Sequence, residues 1–215
     1  MQLVIFDLDG TITWRDSLLP YVAGFLRRNP RYCQRLWRVP GALLHFLIDG
    51  QDRGRLKEAL IRGLLHGVER QALEAWTAIF VERLVASRCR PQALEQIRLH
   101  RGEQHRLILL SASPDLYVTS IGERLMFDES IATGVRWNGD RLDGHLTTDN
   151  RRGEEKARVL EGLRSRYPGL RVVAYGNSAS DFPHLLLAEE GWCVTESSSL
   201  ARRAAELGLK TVAWA

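Results

Sequence analysis

Apolar positions along this chain follow two rhythms, and the change between them divides it. Leu3, Val4, Ile5 and Phe6 form an uninterrupted apolar run, the mark of a strand buried on both faces of a parallel sheet. Over residues 16–101 the spacing turns helical: Leu18, Val22, Phe25 and Leu26 share one face, then Leu56, Leu60 and Leu64, then Leu73, Trp76, Phe80 and Leu84. Breaks at Asn29-Pro30, Asp49-Gly50, His66-Gly67 and Arg90-Pro91 cut this stretch into four or five helices. Strands and helices then alternate. Strands are expected at 107–110, at 131–137 with a hairpin at Asn138-Gly139, at 170–175, at 192–194 and at 211–213. Helices are expected from Pro114, near Gly153, over 182–188 and over 198–207. The pattern predicts an α/β fold with a Rossmann-like, doubly wound and mostly parallel sheet, interrupted by an all-helical insertion.

Composition adds limits to this outline. With 45% apolar and 26% charged residues in 215 positions, the chain can bury a full core and does not read as disordered. The net charge of +4 and a pI near 9.2 suit an anionic partner. The arginines are scattered among acids, however, so no nucleic acid is expected. Three cysteines at wide spacing, Cys33, Cys89 and Cys193, suggest neither zinc nor a disulfide framework. The amino terminus leads straight into a strand with no secretory pattern, so a cytoplasmic location is the expectation. Residues 36–48 are apolar but interrupted by Arg38, Pro40 and His45, and too short to span a bilayer. With Trp37, Phe46 and the nearby Arg31 and Arg35, the segment 32–48 reads first as a packed helix and second as a peripheral membrane contact.

Candidate chemistry begins at Phe6-Asp7-Leu8-Asp9-Gly10-Thr11, which sets two carboxylates one residue apart after the first strand. Open α/β sheets bind ligands beyond such strand ends, and paired acids there invite a divalent cation or a shared proton. By itself the segment is equally a turn. Three later clusters favour the functional reading. Ser111 closes the apolar run 107–110, with Ser113 before a proline as a candidate helix cap. Lys156, one of three lysines, stands near a helix start, where a cation is unfavourable unless an anion faces it. Gly176-Asn177-Ser178-Ala179-Ser180-Asp181 follows another strand.

In this order the clusters resemble the motifs of the haloacid dehalogenase superfamily, most closely its phosphoserine-phosphatase-like branch. The resemblance implies a Mg2+-dependent phosphomonoester phosphatase with an aspartyl-phosphate intermediate. Asp7 would be the nucleophile and Asp9 the general acid/base. Gly10, Thr11, Ser111, Ala112 and Lys156 would hold the phosphate. Metal ligands would be Asp7, the Leu8 backbone carbonyl, Asn177 and Asp181, the last directly or through water. Asn177 stands where the family pattern has aspartate, which leaves a weakly active or inactive phosphate-binding relative as an alternative. Residues 16–90 would be a helical cap on a core of 1–15 and 91–215, with Asp16 and Arg55 as substrate contacts and Arg53 and Arg62 as competitors of Arg55. The partner implied is a small phosphorylated metabolite such as phosphoserine. A lipid phosphate, as in phosphatidylglycerophosphate phosphatases, is the second reading.

Overall fold

The computed structural model describes residues 1–38 and 53–214. Its centre is a six-stranded sheet in the order β3-β2-β1-β6-β7-β8, every neighbouring pair parallel. The strands are β1 (Leu3–Phe6), β2 (Arg106–Pro114), β3 (Glu129–Thr133), β6 (Val172–Gly176), β7 (Glu190–Val194) and β8 (Lys210–Val212). Alternate side chains of the three central strands enter two separate cores. Val4, Phe6, Leu107, Leu109, Val173 and Tyr175 face one, while Leu3, Ile5, Ile108, Leu110, Val172 and Ala174 face the other. Burial on both sides explains why β1 reads as four consecutive apolar residues rather than an alternation.

The second face is covered by α6 (Glu154–Arg166), α7 (Phe182–Leu187) and α8 (Ser198–Glu206), through Leu160, Leu163, Phe182, Leu185 and Ala204. The first is covered by α4 (Pro91–Gly102) and α5 (Asp115–Leu125). Between β1 and β2 the described residues form α1 (Leu18–Arg28), a 3₁₀ segment (Pro30–Arg38), α2 (Arg53–Leu65) and α3 (Arg70–Ser87), and no named strand. The apolar faces of α1 and α3 join the core of the first sheet face. Tyr21 and Phe25 are fully buried, and Trp76 donates its indole N–H to the Tyr21 carbonyl at 3.0 Å. Burial of one such aromatic side chain contributes about 1.5–3 kcal/mol, so these helices are held by packing.

One expectation needs correction: the run 131–137 is not a single strand. It divides at Gly134 into β3, which belongs to the main sheet, and β4 (Val135–Asn138), which pairs antiparallel with β5 (Arg141–Leu146) in a separate hairpin. Gly134 bonds across to residues 147 and 148 instead of continuing the ladder, and the hairpin turns at Gly139 with φ of 56°. The Asp49-Gly50 break and most of the segment 32–48 lie outside the described residues. The three cysteines are free thiols, and no described helix is long and apolar enough to cross a membrane.

Candidate active site

The carboxyl ends of β1, β2 and β6 meet around a cavity of about 140 Å³. β1 delivers Asp7 and Asp9, β2 delivers Ala112 and Ser113, and the loop after β6 delivers Asn177, Ser178, Ser180 and Asp181. Lys156 enters from the first turn of α6, Asn150 and Arg152 from the loop before it, and Lys57 from α2. Asp16 completes the rim. Gly10 permits the turn after β1, with φ of 85°, and a Cβ there would lie 2.0 Å from Asn177 Nδ2.

Lys156 is the hub. It is 2% exposed, and its Nζ donates to Asp7 Oδ1 at 2.6 Å and to Asp181 Oδ1 at 2.7 Å. Burial works against its charge, but the two carboxylates outweigh burial and hold its pKa above the usual lysine value. Asp181 responds the same way: burial would raise its pKa, yet Lys156 holds it well below the usual carboxylate range. At Asp7 burial wins, and the pKa is pushed up to about 7 against the pull of Lys156. Asp9 is different again. Its Oδ1 accepts the Ser17 N–H at 2.8 Å and its Oδ2 accepts the Ser113 hydroxyl. Burial raises its pKa, and these hydrogen bonds only partly offset the rise. The site therefore sets one acid deeply ionised beside two that burial favours in the protonated form.

Several sequence expectations meet different geometry. Asp7, Asp9, Asp16, Ala112, Lys156, Asn177 and Asp181 all line the cavity. Ser111 does not: it is fully buried, and its Oγ accepts the Ser113 N–H at 3.0 Å. Ser113, read as a helix cap, makes no cap bond and instead faces Asp9. Gly10 and Thr11 also stand behind the cavity, where the buried Thr11 Oγ1 lies 3.0 Å from Asp7 Oδ2. The Leu8 carbonyl is not available to a cation, because it accepts the N–H groups of Ile12 and Thr13, each at 2.9 Å, and the Thr13 hydroxyl at 3.2 Å. Arg55 is exposed and lines no part of the cavity. Lys57, two residues on, does so, donating to Asn150 Oδ1 at 2.6 Å and to the Ala112 carbonyl. Nothing local marked Lys57, whereas the Ser111-Ala112-Ser113 spacing did signal a second hydroxyl at the strand end.

The metal-binding donors that line the cavity suit a hard divalent cation. They are all oxygens, from the Asp7 carboxylate, the Asn177 amide and the Asp181 carboxylate. The Thr11 hydroxyl reaches both Asp7 Oδ2 and, at 3.4 Å, Asn177 Oδ1, which keeps these two together. Burial has raised the Asp7 pKa, so added positive charge would relieve it. Asp181 is already saturated: Oδ2 accepts the N–H of Asn177, the N–H of Ser178 and the Ser178 hydroxyl, while Oδ1 binds Lys156. Its share in holding a cation would pass through water.

Fold and site together define a doubly wound α/β protein with an acid-rich, lysine-bridged pocket at its sheet's carboxyl edge. A family profile described as haloacid dehalogenase-like hydrolase matches residues 4–186, and the chain belongs to that family. It is 33% identical over 190 residues to protein CicA of Caulobacter vibrioides, covering 87% of this chain and 83% of that one. Among solved structures, a Bordetella pertussis Tohama I protein of unknown function superposes with a TM-score of 0.80 at 22% identity, covering 98% and 97% of the two chains. A phospho-aspartyl intermediate analogue of phosphoserine phosphatase superposes with a TM-score of 0.63 at 18% identity, covering 94% and 90%. The fold is therefore one that this chain shares with phosphoserine phosphatase.

Proposed function

We propose that this chain is a phosphomonoester phosphatase that transfers the phosphoryl group to Asp7 and then to water, with Mg2+ as cofactor. The observation that carries the reading is the buried Lys156 ammonium joined to Asp7 and Asp181, with the separately held Asp9 beside them. An anionic nucleophile approaching an anionic ester needs its charge neutralised and its position fixed, and Lys156 supplies both. Asp7, Asn177 and, through water, Asp181 would hold Mg2+, which supplies further neutralisation of phosphoryl charge when bound.

In the first step an Asp7 carboxylate oxygen bonds to phosphorus as the ester P–O bond breaks, and Asp9 gives its proton to the departing alkoxide. In the second, Asp9 takes a proton from water, the water oxygen bonds to phosphorus, and the bond to Asp7 breaks. The raised pKa of Asp9 suits the first of these tasks. Ser113 and Ser17 position Asp9. The helical segment 16–90 would act as a cap whose Lys57, with Asp16, Asn150 and Arg152 at the rim, contacts the leaving group. A small, polar cavity favours a small phosphorylated metabolite such as phosphoserine.

The test is phosphate release from an aryl phosphate and from a panel of phosphorylated metabolites and lipids, with and without Mg2+. We expect Mg2+-dependent release that is abolished in Asp7→Asn. Asp9→Asn should slow alkyl esters by about 10²–10⁴ and the aryl ester less, since an aryl oxide departs without a proton. Absence of release at any Mg2+ concentration would sink the catalytic reading and leave a phosphate-binding relative.

A further inference from the structure

We propose that His100, Glu103 and His105 form a binding site for a transition-metal ion of the zinc class, separate from the Asp7 pocket. The three residues come from the last turn of α4 and the loop that enters β2, at the amino ends of the strands. The helix closes with the His105 N–H on the His100 carbonyl at 3.0 Å, and Gln104 takes a left-handed φ of 56° to allow it. This reversal brings the two imidazoles together, their ring centroids 5.3 Å apart and their planes tilted by 47°. His100 Nδ1 lies 3.1 Å from His105 Nδ1, and His105 Nδ1 lies 3.4 Å from Glu103 Oε2. One ligand atom from each residue lies within 4.8 Å of the other two.

Those separations match a metal polyhedron. Zinc–nitrogen bonds of about 2.0–2.1 Å in a tetrahedron place neighbouring ligands about 3.3 Å apart. The Glu103 side chain is 65% exposed, so it can rotate to close the third edge, and solvent has access to supply the fourth ligand. The far nitrogen of His100 is already anchored, with Nε2 at 3.0 Å from the Tyr175 hydroxyl. A hydrogen-bonded second nitrogen is what orients a metal-binding imidazole. Two imidazoles and one carboxylate select zinc-like ions over Mg2+, which prefers an oxygen shell. In the ion-free state one ring must carry its proton on Nδ1 to bond the other. Ion binding moves that proton to the Nε2 of the same ring, so each histidine stays neutral. The ion would clasp the end of α4 to the start of β2.

Equilibrium dialysis of the untagged chain against Zn2+, in excess Mg2+ to occupy the Asp7 pocket, tests the site, with Co2+ absorption reporting its geometry. We expect one Zn2+ per chain and a tetrahedral Co2+ band, both lost in His105→Gln. The exposed Glu103→Gln should weaken binding with an unchanged circular dichroism spectrum, and Tyr175→Phe should weaken it about tenfold. No stoichiometric Zn2+ would overturn the proposal. So would binding that persists in His105→Gln but disappears in Asp7→Asn, since that assigns the ion to the other pocket.

Discussion

Lys57 brings to the cavity a charge that burial makes easier to lose. Burial lowers its pKa to about 8, against the opposing pull of Asp9 and Asp16. Below that pH the ammonium attracts an anionic ester; above it the attraction fades. We therefore expect kcat/KM to fall as pH rises through about 8, mainly through KM. Lys57→Arg, which keeps its charge, should flatten this limb. A profile unchanged by that substitution would detach Lys57 from substrate. At this scale the sequence was legible where residues are neighbours along the chain. Asp7 and Asp9 stand on one strand end, and Lys156 betrayed itself by an unfavourable charge at a helix start. Lys57 and Asn150 meet across 93 positions, and no local pattern encodes such a meeting. Ser111 and Ser113 were both visible, but which hydroxyl faces the cavity is decided at the irregular end of β2, where the register to β3 shifts between Leu110 and Pro114.

Among the elements, the turn after β1 is the most demanding. Any side chain at residue 10 must accept a left-handed backbone and also collide with Asn177. Gly10→Ala should destabilise the chain by about 1–3 kcal/mol and weaken Mg2+ binding, as read by chemical denaturation and by the Mg2+ dependence of the melting temperature. An unchanged Mg2+ response would mean that Asn177 tolerates displacement. Elements with strong periodicity or double-sided burial were readable in the sequence, β1, β2 and β6 above all. The split at Gly134 was not. Ile131, Val135 and Trp137 keep a strand-like composition on both sides of Gly134, and the competing bonds to residues 147 and 148 redirect the chain into the hairpin.

Over the whole molecule, Lys156 joins α6, the end of β1 and the loop after β6 in one buried cluster. Lys156→Met would leave two carboxylates buried without a counter-charge. Breaking a buried ion pair this way costs about 3–5 kcal/mol, which for a chain of this length lowers the melting temperature by roughly 10 °C. Thermal unfolding without Mg2+ measures it, and an unchanged melting temperature would refute the structural part of the argument. The order of the strands has a further consequence, for how the protein is made. β1 leaves the ribosome before either of its neighbours in the sheet, β2 and β6, and Asp7 waits 149 positions for its lysine. Until β6 arrives, the nascent chain carries an unpaired apolar edge at its centre. Folding is thus governed by contacts distant in sequence, and incomplete chains are the species most exposed to aggregation.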